Sequence, residues 1–282
     1  MTQPQLDSHW KARLDVDVVT SPSGSRLGRR THTGPLRVQR PFFPEGREVL
    51  HVYPIHPPGG VVGGDCLETH LRVSESAHAL VTTPAAQKIY RSASLPSELT
   101  TELILEGDAR AEWLPMETIV FDGARARSRS VIHLGDRARY IGWEIVCFGR
   151  PAAGSRFASG LFLSSLEVFR CDRPLLVENT RVEGGCSVLD SSWGYAGYPI
   201  SATWLCVASD TQVLDGVTRQ LGAMRLVGST LRAAATRLDG SVILRIQSES
   251  VEAARRLLIE SWVQSRPLVM GRPACPPRIW ET

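Results

Sequence analysis

The chain has 282 residues, 43% hydrophobic and 22% charged, with a formal net charge of +3. This is the composition of an ordinary globular protein with a sizeable core, not of a disordered one. A charge this small does not predict nucleic-acid binding. No apolar run approaches the ~20 residues of a membrane helix, and the N-terminus lacks the basic-then-apolar layout of a signal peptide. Those features lead to the expectation of a cytosolic protein. Six cysteines are scattered without a CxxC pair, which argues against a structural zinc knuckle and for free thiols, mostly buried.

Trp10, Ala12, Leu14, Val16 and Val18 alternate with Lys11, Arg13, Asp15 and Asp17. A strict period of two predicts a strand with one buried face over residues 10–18. SPSGS at residues 21–25 is a turn cluster. Short strands are predicted over residues 36–40, 49–55, 68–73, 78–82, 99–106, 111–114, 130–134, 138–148 and 160–170. They are rich in β-branched and aromatic residues and are separated by Gly, Pro, Asp or Ser. Many short strands at fairly even spacing predict an antiparallel all-β architecture. No exact repeat supports a regular solenoid. Val213, Leu214, Val217 and Leu221 share one helical face behind an Asp210 cap. Residues 251–262 form a longer helical stripe that Pro267 is expected to stop. Between them, residues 226–237 and 241–247 read as a hairpin turned at Asp239-Gly240.

HPPGGVVGGD, residues 56–65, is the most unusual run. Two prolines fix an extended entry, and four glycines open conformations closed to other residues. One reading is a tight loop packed closely between strands. The other is a cation site: Asp65 would repel phosphate but attract a metal, with His56 and Cys66 nearby. Imidazole, carboxylate and thiolate together suit nickel, zinc or copper. A carboxylate in such a loop reads as exposed, so the loss of Asp65 is expected to spare the fold. TTPAAQKIYRS (residues 82–92) offers Lys88 and Tyr90 either to an acid–base site or to a plain surface turn. In EWLPMETIVFDGA (residues 112–124), Glu117 and Asp122 flank an apolar run, at strand ends or along a wet channel.

These runs, together with GPLRVQRPFFPE (residues 34–45), YIGWEIVCFGRPAAG (140–154), LEVFRCDRPLLVE (166–178), LDGV (214–217) and PRIW (277–280), resemble the UreD (UreH) family of urease accessory proteins over nearly the whole chain. The resemblance implies a single domain over residues 1–282, mostly β, with stacked, largely antiparallel sheets and two α-helices in the C-terminal third. It implies no enzyme and no tightly bound cofactor. Instead it implies a chaperone that handles nickel transiently, binds UreF and through it the GTPase UreG, and contacts apo-urease, without nucleic acid or membrane. It also implies an internal water-filled tunnel lined by carboxylates. The matching acidic positions are Asp65, Glu117, Asp122, Glu144 and Glu178, and Cys66 stands where the family commonly has a polar or acidic residue.

A conduit needs weak sites in series, because a complete coordination shell would trap the ion. Two rivals remain. One is a scaffold that never touches metal, and the other is an enzyme built on His56, Asp65, Lys88 and Tyr90. The apolar face of the 251–262 helix is one candidate surface for UreF, or else it packs on a sheet.

Overall fold

The computed structural model describes residues 9–224, 227–228 and 230–281. The strands are β1 (Lys11–Ser21), β2 (Gly24–Thr33), β3 (Arg37–Val38), β4 (Leu50–Val52), β5 (Pro54–Ile55), β6 (Cys66–Val73), β7 (His78–Val81), β8 (Gln87–Ile89) and β9 (Ser97–Leu105). They continue with β10 (Arg110–Trp113), β11 (Thr118–Val120), β12 (Arg125–Leu134), β13 (Arg139–Phe148), β14 (Leu161–Arg170), β15 (Arg173–Glu183), β16 (Ile200–Val207), β17 (Leu231–Leu238) and β18 (Ser241–Ser248). Helix α1 (Thr211–Ala223) precedes β17, and α2 (Val251–Met270) follows β18.

Two large sheets stack. The first has the order β15-β14-β12-β9-β6-β1-β2, and the second β17-β18-β16-β13-β10-β7-β4. Strand β13 shows why three layers form. Its alternate residues Tyr140 and Phe148 join the core between the sheets. The residues between them, Ile141, Trp143, Ile145 and Cys147, join a second core under the helices. A strand buried on both faces reads as a continuous apolar run, which RYIGWEIVCF nearly is. Helix α1 is capped by Asp210, whose side chain accepts from the Gln212 amide, and it buries Leu214, Val217 and Leu221.

The mostly-β character, the stacking and the two C-terminal helices agree with the sequence reading, but the strand direction does not. Nine of the fifteen pairings between the described strands are parallel, including every one from β6 to β14 in the first sheet. The short turns are not hairpins. Residues 74–77, 106–109 and 135–138 each carry the chain from the first sheet to the second, and successive coils stack. The Glu106 amide donates to the Val73 carbonyl and the Gly135 amide to the Leu105 carbonyl. The core is therefore an irregular solenoid, closed at its ends by antiparallel strands β2, β15, β16, β17 and β18.

Three smaller expectations also change. Trp10 is 50% exposed and lies outside the buried row of β1, which begins at Lys11. Pro267 sits inside α2, which runs on to Met270 and ends at Gly271 with φ 71°. A helix tolerates such a proline where the carbonyl that loses its donor can meet water, and Val263, four residues back, is exposed. The inner face of α2, including Leu257, Leu258 and Trp262, is packed in the second core. Its apolar stripe is therefore not free for a partner. The hairpin at Asp239-Gly240 forms as β17 and β18, though the Leu226 end of the expected strand lies outside the described residues.

Candidate functional site

The inward-facing rows of the first sheet are apolar at one end and hydroxylic in the middle. Leu71, Leu103, Ile132 and Val168 belong to the apolar core. In the middle, Thr69, Thr101, Ser130, Leu166 and Glu178 fall in one register row across five strands. The next row carries Ser128, Ser164 and Thr180. Short hydroxyl side chains cannot fill the roughly 10 Å between packed sheets, so space remains there.

Two cavities occupy that space. One, of about 410 Å³, reaches the surface at Pro57, Gly59 and Ala85 and is lined by His56, Thr69, Thr101 and Ser130. The other, of about 510 Å³, reaches the surface at Trp193, which is 76% exposed, and is lined by Glu178, Thr180, Arg232 and Arg245. Glu144, Val146, Phe162 and Ser164 line both.

Glu144 is the deepest charge in this space. Its carboxylate lies within the molecule but faces the cavity, and the Ser130 hydroxyl donates to it across the gap between sheets. Burial pushes its pKa up, and the charge of Glu178 pushes it the same way. Glu178 projects from the edge strand β15 and pairs with Arg245 of β18. Both carboxylates line this second cavity.

The other candidates lie elsewhere. His56 lines the outer end of the first cavity. Both its ring nitrogens are buried without a hydrogen-bond partner, and burial lowers its pKa against the pull of the Asp65 charge. Asp65 is 2% exposed. Its carboxylate accepts the Trp10 amide at 2.8 Å and the Val62 amide at 2.9 Å. It ties the glycine loop to the start of β1, so the expectation of an exposed, dispensable carboxylate is corrected.

The loop glycines do structural work. A Cβ at Gly63 would lie 2.4 Å from the Leu95 carbonyl oxygen, and Gly64 has φ 92°. Alanine at Asp65 is expected to lower stability by about 1–3 kcal/mol, because two backbone amides lose their acceptor. A thermal melt checks this, and an unchanged midpoint would refute it.

Cys66 is half-buried, and burial with Glu68 and Glu98 raises its pKa, which opposes a thiolate ligand. Of the six thiols only Cys147 and Cys206 are buried, and burial pushes Cys147 up to about 12. Glu117 lies just before β11, and its charge acts on Cys147 and on Arg255 of α2. Asp122 accepts the amides of Ala158 and Ser159 and the Ser159 hydroxyl, an arrangement that lowers its pKa. Lys88 and Tyr90 are exposed and do not line either cavity. Among the described residues no three His, Cys, Asp or Glu side chains are arranged to hold a metal ion. A cation in the cavities would meet carboxylates singly.

The sequence reading passed over a buried charge cluster beneath α2. Glu112 and Arg266 are both fully buried and joined through the guanidinium Nε at 2.9 Å. Glu112 also accepts from Trp262 Nε1 at 2.5 Å and lies 2.8 Å from His78 Nε2. Arg266 pairs with Glu45 at 2.7 Å, which in turn meets His51 at 2.8 Å. This cluster bolts the helix to the second sheet.

Residues 11–281 match the family model described as UreD urease accessory protein. The chain belongs to the UreD family of urease accessory proteins. It is 42% identical to a urease accessory protein UreD of Pseudomonas paraeruginosa over 99% of this chain and 98% of that one. It is 38% identical to those of Dechloromonas aromatica, over 100% and 98% of the two chains, and Citrobacter koseri, over 98% and 93%. The family description makes these proteins accessory to urease. No helix among its described residues is long and apolar enough to cross a membrane.

Proposed function

We propose that this chain delivers nickel to apo-urease through the hydroxyl-walled space between its sheets. In this reading it does so in the cytoplasm, docked on UreF and through UreF on UreG. The observation that supports the route is Glu144, a single carboxylate facing both cavities where their walls meet. Threonine and serine hydroxyls around it favour a hydrated ion, which lowers the cost of stripping water from a divalent cation and a carboxylate. His56 at one end and Glu178 at the other offer further single donors, so the ion is drawn along without a complete coordination shell.

Filling the shared wall tests the route. Ser164 lies on both cavity walls, so a bulkier side chain there takes up space the two cavities share. Ser164→Phe is expected to leave assembly with UreF and urease intact by pull-down while nickel per urease falls several-fold. Full nickel loading would sink the route and leave a scaffold. A partner-binding role also predicts associating surfaces. Trp10, Phe42, Leu95 and Trp193 are each at least 45% exposed. Co-production with UreF is expected to raise the soluble yield, and a monodisperse monomer indifferent to UreF would count against this.

A further inference from the structure

We propose that Arg245 is an exchangeable gate on Glu178, a guanidinium that a divalent cation displaces and a monovalent cation does not. The proposal rests on the reading of the cavities as a nickel route. Glu144, Thr203 and Arg245 stand in one register row across β13, β16 and β18, on the cavity face. Two strand spacings place the Arg245 backbone roughly 10 Å from that of Glu144. Glu178 reaches into the same space from β15 of the opposite sheet and binds the Arg245 guanidinium. Its charge also acts on Glu144. The ion pair therefore joins the edge strand β15 of one sheet to β18 of the other across the cavity that opens at Trp193. A cation leaving Glu144 for Glu178 finds that carboxylate already occupied.

The pair has the properties of a gate and not of a bolt. Arg245 is 48% exposed and Glu178 32%, so water screens both and competes for both. Pairs of this kind are worth at most roughly fivefold in an equilibrium constant. The long arginine stem lets the guanidinium swing into solvent while the stem keeps its place on the wall. The other arginine of this cavity, Arg232, is held differently. It donates to Gln247 at 2.6 Å and to the carbonyls of Ser192 and Gly194, and it lies over the Tyr198 ring. Of the two, Arg245 is the one free to move.

Charge sets what can take its place. With both carboxylates ionised, Arg232 and Arg245 together balance the charge of the cavity wall. Exchange of Arg245 for a potassium ion replaces one single charge by another, whereas a divalent ion is attracted twice as strongly to each carboxylate. The gate thus keeps abundant monovalent ions from occupying Glu178 and yields to the cargo.

Equilibrium dialysis of the full chain against nickel chloride tests this. Arg245→Gln removes the charge and keeps a hydrogen-bond donor. It is expected to tighten nickel binding two- to fivefold in dilute buffer. It should also make that binding fall more steeply than wild type as potassium chloride is raised. Arg245→Lys is expected to behave as wild type. If Arg245→Gln leaves affinity and potassium sensitivity unchanged while Glu178→Gln weakens binding, the gate is overturned and the route stands. If neither Glu144→Gln nor Glu178→Gln alters nickel binding, the route itself falls and takes the gate with it.

Discussion

Arg266→Ala is expected to destabilise the protein by about 3–5 kcal/mol, the usual effect of removing one partner from a buried ion pair. The arginine has no exposed surface, and both carboxylates it serves, Glu112 and Glu45, are buried or nearly so. Burial alone would raise the Glu112 pKa, but the hydrogen bond from His78 and the Arg266 guanidinium hold it down at about 2. The pKa of Glu45 is lowered in the same way by His51 and Arg266.

A depressed carboxylate pKa stabilises the fold above its unfolded value and loses that contribution as pH falls through the folded value. For Glu112 the window runs from 4.5 down to about 2 and is worth about 3 kcal/mol. Urea unfolding at pH 7 checks the first figure, and a loss below about 1 kcal/mol would refute it. Unfolding of Glu112→Gln between pH 7 and pH 3 checks the second. The variant's stability should change less with pH than that of wild type.

The parts of this molecule that were legible in its sequence are those settled by local pattern. Ala12, Leu14, Val16 and Val18 alternate because one face of β1 is buried, and Asp210 caps α1 because its carboxylate reaches a free amide. The solenoid was not legible because its coils are unequal. They begin at Cys66, Ser97, Arg125 and Leu161, so no fixed period exists, and a four-residue turn between sheets looks like a hairpin loop. Strand β2 was missed because an edge strand with an exposed face has little reason to be apolar.

The site follows the same division. Glu144 and Glu178 were visible as carboxylates in strand-like runs, which need a partner or water. The hydroxyl row was not visible. Thr69, Thr101 and Ser130 become neighbours only through the parallel register. Glu112 was passed over because its partner Arg266 is 154 residues away in sequence. Asp65 was read by its type, whereas its position beneath two amides decides its role.

Replacing both Glu144 and Glu178 with leucine is expected to abolish most nickel transfer to urease while the complex with UreF and urease survives. Neither carboxylate bolts the fold together. Glu144 has its pKa raised by burial, so its ionised form works against folding at neutral pH, and an apolar replacement removes that penalty. Among the described residues its hydrogen-bond donor is the Ser130 hydroxyl, which can turn to the cavity instead. Glu178 gives up a half-exposed pair with Arg245, a loss of at most about 1 kcal/mol. Leucine has apolar neighbours on the same wall, Val146, Phe162 and Leu166 among them. The double variant should therefore melt within a few degrees of wild type, yet both of the proposed attractions for a cation in the inner space are gone. A tenfold or greater fall in nickel per urease, with pull-down unchanged, is the expected result. A scaffold that never touches metal requires the opposite, normal nickel content from an intact complex, and that outcome would remove both carboxylates from the route.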